Sequence, residues 1–332
     1  MKVVSFFRLK EVRWVLAEAD LERLQKRFPG VSVVSIEEED RLPAALADAD
    51  VFLGWLFPPE QFERASRLRW IQTASAGVEE NLFPAMVASD VILTNAAGLH
   101  AVSIPEHVFG QILVLARNFH EAFRLQSRSQ WDRFGVIAYA GGIRELAGAN
   151  LLVLGAGAIG RNVARLGAAL GMHVRVIRRD PSRPTPDAEE VRPPSELHEQ
   201  LRWADAVVLA VPLTGQTRNL IGEPELRAMR SDAFLVNVAR GEVVDDEALI
   251  AALRGGAIAG AALDVFSEEP LPAEHPFWSI PNLVLTPHVS GYTPRYFEKV
   301  LALFEDNLDR FLAGRPLRNV VDKRLGYARQ ED

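Results

Sequence analysis

Three side chains follow three apolar runs at short distance: Arg240 after AFLVNVA, Glu269 after AGAALDVFSE and His288 after NLVLTP. A guanidinium, a carboxylate and an imidazole form a chemically useful set. Arg240 can hold the carboxylate and carbonyl oxygen of a 2-keto acid, and a protonated His288 can give its proton to that oxygen as hydride arrives from a reduced nicotinamide. Glu269, on the other ring nitrogen, is expected to orient the imidazole and raise its pKa toward the working pH. In the oxidative direction His288 is the base. Each residue has a plainer reading when taken alone. Arg240-Gly241-Glu242 reads as a surface turn, Glu268 and Glu269 as a solvated acidic pair, and His288 as a loop residue behind Pro287. Their succession at consecutive strand ends, where open α/β sheets bind ligands, favours the chemical reading.

Hydride needs a carrier, and LLVLGAGAIG supplies a site for one. Gly155 suits a tight turn, Gly157 the approach of backbone to a pyrophosphate, and Gly160 close packing of helix on strand; Ala158 and Ile159 complete the turn. The helical run RNVARLGAALG follows, so its N-terminal N–H groups would meet the phosphates. The second strand ends in HVRVIRRDPSRP, where a dinucleotide-binding protein often carries a carboxylate for the ribose. This chain has Arg178 and Arg179 there, and its first acid is Asp180 before Pro181. Two guanidiniums suit a 2′-phosphate, so NADP(H) is expected ahead of NAD(H). The competing arrangement leaves both arginines solvated and turns Asp180 to the ribose.

The elements that must position these groups alternate between short β-branched runs and longer helical patterns, an α/β signature with parallel sheets. Strands are predicted at KVVSFF, VSVVSI, VFLGW, RWIQTA and VILTN in the first hundred residues, with a helix from Arg13 to Arg27. One long helix is predicted over Ser103 to Phe119. Six further strands follow at NLLVLG, HVRVIR, DAVVLAVP, AFLVNV, AGAALDVF and NLVLTP, the count of two mononucleotide-binding halves. A last helix carries Phe297, Val300, Leu301, Phe304, Leu308, Phe311 and Leu312 at helical spacing. The expected architecture is two doubly wound domains with a cleft between them. Residues 1–98 with 292–332 would form a flavodoxin-like substrate domain, and residues 99–291 a Rossmann dinucleotide-binding domain.

Composition narrows the field. A chain of 332 residues with 48% hydrophobic and 24% charged residues reads as a globular protein, and a net charge of −7 argues against nucleic acid or an anionic membrane as partner. There is no cysteine, which excludes disulfides, thiol nucleophiles and thiolate metal sites. The opening MKVVSFFRLKEV is too short for a signal peptide, and no run reaches the roughly 18 apolar residues of a spanning helix, so a cytoplasmic location is expected. No metal is expected either: His100, Glu106 and His107 cluster without an HExxH pattern, and one helix face would not present all three. TASAGV lacks the glycine-flanked elbow of a serine hydrolase.

GAGAIG, VPLTGQTRNLIG, LVNVARGEVVDDEALIAAL, GAALDVFSEEPLP and LTPHVSG together resemble the D-isomer-specific 2-hydroxyacid dehydrogenase family, and the likeness covers nearly the whole chain. The resemblance puts the family's arginine on Arg240, its glutamate on Glu269 and its histidine on His288. It implies that TASAGVE is a carboxylate-binding loop using Ser75, Ala76 and Gly77, and that Asp264 fixes the nicotinamide carboxamide. Val211, Pro212, Thr217, Val238, Ala239 and Gly291 fall on matched cofactor-side motifs. It also implies a homodimer built through the cofactor domain. Trp131 stands where some glyoxylate and hydroxypyruvate reductases reach the partner's site, although core or interface packing is the simpler expectation; Trp55 is a candidate for the substrate wall. The departure from the usual pattern is Arg178, which bears on NAD preference.

Within the resemblance, Glu269 lowers the formate option, because formate enzymes usually carry glutamine there. Oxidation of 3-phosphoglycerate stays open. So does a dinucleotide-sensing corepressor on the same fold, although the chain ends at GYARQED without a long interaction tail.

Overall fold

The computed structural model describes residues 1–9 and 12–328. Arg329 to Asp332, the end of the GYARQED tail, lie outside the described residues. The chain divides into two compact units, Met1–Leu99 with Pro294–Asp332, and His100–Thr293.

The first unit is built on a sheet whose parallel strands lie in the order Ser32–Ser35, Lys2–Leu9, Val51–Gly54, Trp70–Thr73, Ile92–Thr94. Numbered along the chain this is 2-1-3-4-5, the flavodoxin-like doubly wound order. Alternation sends neighbouring residues to opposite faces. Val4, Phe6 and Phe52 enter one core, while Val3, Phe7, Val51 and Leu53 enter the other. The helix Tyr296–Leu312 closes the second of these cores with Val300, Leu301, Phe304 and Leu308, and Phe304 stacks on Trp70 with ring centroids 5.3 Å apart.

One expected boundary moves. Val12–Trp14 is a strand antiparallel to Lys2–Leu9, pairing Phe7 with Trp14, and the helix begins only at Glu18. Glu18 and Asp20 in its first turn and Lys26 and Arg27 in its last complement the helix dipole.

The second unit holds a seven-stranded, all-parallel sheet in the order Leu283–Leu285, Gly260–Leu263, Phe234–Asn237, Ala206–Leu209, Asn150–Leu154, His173–Ile177, Glu190–Arg192. Chain order reverses between Asn150–Leu154 and Ala206–Leu209, so the glycine turn after Leu154 stands at the switch point. Leu152, Leu154, Val207 and Leu209 face one core, and Leu151, Val153, Ala206 and Val208 the other. Burial on both faces explains why these strands read as unbroken apolar runs.

Seven strands replace the expected six. Glu190–Arg192 is short and charged, and only half buried at the sheet edge, so it has no apolar signature. The expected long helix also ends early, at Ala116, because Asn118 adopts a left-handed conformation with φ 54°. Its side-chain amide donates to the carbonyls of Val136 and Tyr139, and a new helix, Phe119–Ser127, starts there.

Candidate active site

His288, Glu269 and Arg240 all leave the carboxyl ends of neighbouring strands in the second unit. His288 Nδ1 lies 2.7 Å from Glu269 Oε2, and the backbone N–H of Phe266 donates to Glu269 Oε1 at 3.0 Å. Burial pushes the Glu269 carboxyl up. The hydrogen bonds from His288 and Phe266, with the charges of His288 and Arg240, outweigh it and hold the group below its ordinary value. Glu269 is therefore a carboxylate that fixes the imidazole through Nδ1, and exchange with a substrate falls to Nε2. His288 is half exposed and sits at φ 52°, a conformation that side-chain-bearing residues seldom adopt.

Supporting residues were not foreseen from the sequence. Asn237, almost fully buried, accepts from the Ala239 N–H at 3.0 Å and donates to the Arg240 carbonyl at 2.8 Å, so it shapes the loop that carries the guanidinium. Arg240 Nη1 in turn donates to the Ala239 carbonyl at 2.7 Å. Gly241 brings two loops into backbone contact: a Cβ added there would lie 1.9 Å from the Phe266 carbonyl carbon and 2.1 Å from the Ser267 nitrogen. The supposed surface turn Arg240-Gly241-Glu242 is thus wedged against the loop bearing Glu269, and Gly241 is buried. The only sequence signal was the glycine.

The nucleotide turn has the form a dinucleotide requires. Gly155 has φ 106°, and a Cβ on it would stand 2.4 Å from the Ala210 carbonyl oxygen; one on Gly160 would stand 1.9 Å from the Gly155 carbonyl oxygen. Both positions are closed to any other residue. The helix Ala158–Ala169 starts at Gly157 with no side-chain cap, so its first N–H groups face the turn. Ile159 packs partly into the core below. Val211 and Pro212 continue past Leu209, and Thr217 Oγ1 donates to the Pro212 carbonyl at 2.6 Å, bracing that loop. Val238 and Ala239 bury their side chains on opposite faces, which leaves backbone to address a ligand. A Cβ at Gly291 would touch the His100 ring at 3.0 Å, and the Gly291 carbonyl accepts from His100 Nδ1. These residues fit a nicotinamide dinucleotide.

At the end of His173–Ile177, Arg178 is half buried and Arg179 exposed. Arg178 Nη1 donates to the Arg183 carbonyl at 3.3 Å. Burial, with Arg183 and Arg161 nearby, lowers its pKa against the smaller pull of Asp180. Arg161 and Arg183 thus join the cationic cluster, and sequence reasoning had passed over both. Asp180 is turned into its own loop: Oδ1 accepts from the Ser182 hydroxyl at 2.6 Å and the Ser182 N–H at 3.1 Å, which hold its carboxyl below the usual range.

Asp264 is fully buried. Its Oδ1 accepts from the Thr286 hydroxyl at 2.6 Å and the Val289 N–H at 3.0 Å, and its Oδ2 from the Ser290 N–H at 2.9 Å. The carboxylate therefore grips the loop on both sides of His288.

The loop Ser75–Gly77 belongs to the first unit and follows the strand Trp70–Thr73. Its carbonyls are all used: Ser75 accepts from the Ala96 N–H, Ala76 from Asn95 Nδ2 at 2.6 Å, and Gly77 from the Ser75 hydroxyl at 2.7 Å. Among the described residues the N–H groups of Ala76 and Gly77 donate to nothing.

The two tryptophans lie in contrasting surroundings. Trp55 is 7% exposed within an aromatic core, its ring 5.7 Å from those of Phe7 and Phe297. Trp131 is 93% exposed, which removes core packing as its role. Among the described residues no group of three His, Cys, Asp or Glu side chains could hold a metal ion, and no helix is long and apolar enough to cross a membrane.

Residues 109–290 match the family described as D-isomer specific 2-hydroxyacid dehydrogenase, NAD binding domain. The chain is 34% identical to a D-3-phosphoglycerate dehydrogenase of Methanocaldococcus jannaschii over 308 residues, covering 91% of this chain and 57% of that protein. It is also 34% identical to a glyoxylate reductase of Thermofilum pendens, covering 88% of this chain and 84% of the relative. Among solved structures it is similar to an NADPH-dependent glyoxylate/hydroxypyruvate reductase of Sinorhizobium meliloti in complex with NADP and sulfate. That likeness has a TM-score of 0.83 at 26% identity and covers 98% of this chain and 99% of the other. The chain thus spans somewhat more than half the length of the first of these and most of the other two.

Proposed function

The chain belongs to the D-isomer specific 2-hydroxyacid dehydrogenase family and is an oxidoreductase with a Rossmann-type NAD-binding domain; from that premise we propose that it reduces a short 2-keto acid of the glyoxylate or hydroxypyruvate kind, with NADPH as the preferred donor. The observation that carries the reading is the His288–Glu269 pair at 2.7 Å, with Arg240 close enough for its charge to act on Glu269.

A bound nicotinamide dinucleotide supplies the hydride. Arg240 binds the substrate's carboxylate and polarises its carbonyl, and His288 Nε2 gives the proton that turns the developing alkoxide into a hydroxyl. Glu269 holds the ring through Nδ1, so that Nε2 is the nitrogen presented to the substrate. In the first unit, the undonated N–H groups of Ala76 and Gly77 support a role for Ser75–Gly77 in binding a carboxylate. We propose the cytoplasm as the place of work.

The test is hydride transfer followed by nicotinamide absorbance, with glyoxylate, hydroxypyruvate and 3-phosphohydroxypyruvate against NADPH and NADH. Turnover of the first two supports the proposal. Turnover confined to the phosphorylated acid favours the activity named for the Methanocaldococcus jannaschii relative, and no turnover with any of the three overturns the reductase reading.

The preference for NADPH rests on Arg178 with Arg161 and Arg183 beside it, and on Asp180 being engaged by Ser182. Arg178→Asp is expected to shift the NADPH to NADH ratio of kcat/KM toward NADH by roughly ten- to a hundredfold, the effect of losing one charge-assisted hydrogen bond of about 1.5–3 kcal/mol. An unchanged ratio would remove these arginines from cofactor choice.

We further propose a homodimer formed through the second unit. Leu113, Phe119, Phe123, Trp131, Phe134 and Ile137 expose apolar side chains on its helices and their connections, with Trp131 at 93% and Phe134 at 77%. Exposed apolar surface of this kind marks protein contacts. Replacing Trp131 and Phe134 together with Asp is expected to convert a dimer to a monomer in sedimentation equilibrium. An unaltered mass would point to a different interface.

A further inference from the structure

Thr286 Oγ1 lies 2.6 Å from Asp264 Oδ1, 3.0 Å from His107 Nε2 and 3.1 Å from Gln111 Nε2. A hydroxyl has one proton, and a carboxylate can only accept. The proton of Thr286 is therefore committed to Asp264, and both nitrogens must donate to the hydroxyl oxygen. This fixes the His107 ring with a proton on Nε2. His107 and Gln111 lie one turn apart on the helix Ser103–Ala116, so the helix presents two N–H donors to a single oxygen.

The chain of bonds continues through Asp264 into the N–H groups of Val289 and Ser290. Thr286 precedes His288 by two residues, and Val289 and Ser290 follow it. The loop is thus held on both sides of a histidine whose backbone, at φ 52°, is in an uncommon conformation. Nothing in its covalent structure keeps an L-residue there, so surrounding bonds must do so.

We propose that His107 is a positioning residue for His288, acting through Thr286 and Asp264. The inference rests on the reading of His288 as proton donor. His107 touches neither reacting group. It polarises the Thr286 hydroxyl, which tightens the bond to Asp264, and a well-held carboxylate keeps the loop in register.

The test uses His107→Phe, which removes the donor and keeps a ring, and Thr286→Val, which removes the hydroxyl and keeps the shape. Each is expected to lower kcat about ten- to a hundredfold, as small misplacement of a reacting group does, with KM for keto acid and nucleotide within about twofold. The double variant is expected to be no worse than either single one, since both cut one chain. His107→Gln, which restores a donor, is expected to recover most of the loss, and Thr286→Ser to behave as the parent. Unchanged kcat, losses that multiply, or no recovery with Gln would overturn the proposal.

Amide hydrogen exchange at Val289 and Ser290 gives a readout independent of turnover. These amides are expected to exchange slowly in the parent protein and faster in His107→Phe, and fast exchange in the parent overturns the clamp even if the variants fail to fold. An inactive His288→Ala beside a fully active His107→Phe overturns the relay alone. An active His288→Ala overturns the proton-donor reading itself.

Discussion

Replacing His288 with Ala lowers kcat by about a thousandfold, within the range expected for loss of a positioned general acid, and leaves NADPH affinity within about twofold. The two halves of this expectation come from different parts of the fold. The imidazole is held by Glu269 at 2.7 Å, and its removal takes away the group proposed to carry the proton. On the reading proposed above the nucleotide is held elsewhere, by the turn Gly155–Gly160 and the start of the helix Ala158–Ala169. The bonds from Asp264 to Val289 and Ser290 use backbone N–H groups, which alanine leaves in place. Steady-state turnover with the preferred keto acid and a fluorescence titration with NADPH measure both halves. A variant retaining more than a tenth of parental kcat would assign the proton to another group.

Gly241→Ala is expected to be nearly as damaging, for a steric reason. Its new methyl would lie 1.9 Å from the Phe266 carbonyl carbon, where real Cβ contacts do not fall below 3.0 Å. The three nearest atoms all belong to the Phe266–Ser267 peptide, so no flexible side chain can yield. The loops bearing Arg240 and Glu269 must part by about an ångström, a displacement that can cost on the order of a hundredfold in kcat/KM. Overpacking is expected to lower stability by about 1–3 kcal/mol as well. Gly30→Ala serves as the control, since nothing lies within 4 Å of a Cβ there. Urea unfolding and initial rates decide the matter, and a Gly241→Ala protein matching Gly30→Ala in both would mean that the two loops do not need to touch.

Central strands such as Val51–Gly54, Asn150–Leu154 and Ala206–Leu209 were legible because burial on two faces makes them read as largely apolar runs. The glycine turn was legible because its geometry admits no other residue at Gly155 and Gly160. Arg240, Glu269 and His288 could be picked out as residues just past strand ends, a position a sequence displays directly. What stayed hidden depends on contacts distant in the chain. Val12–Trp14 looked like the start of a helix because its pairing with Lys2–Leu9 outweighs local preference. Glu190–Arg192 has no apolar signature, and Asn118 ends a helix through bonds to Val136 and Tyr139 that no local pattern announces. The bonds of Asp264 to Thr286, Val289 and Ser290 likewise had no sequence signal. The burial of Trp55 and the exposure of Trp131 follow from packing, which aromatic character alone does not predict.

The pairing of Lys2–Leu9 with Val12–Trp14 bears on what the margin of this sheet offers to other polypeptides. Along the same side of Lys2–Leu9, residues 2–5 are paired by Ser32–Ser35 and residues 7–9 by Val12–Trp14. Without the second pairing, the upper part of that strand would offer a row of unused peptide groups, a template onto which another polypeptide can add. Three residues of the chain's own occupy that template. The open margin is thereby moved to a strand of only three residues, too short to present another polypeptide with a long row of peptide groups.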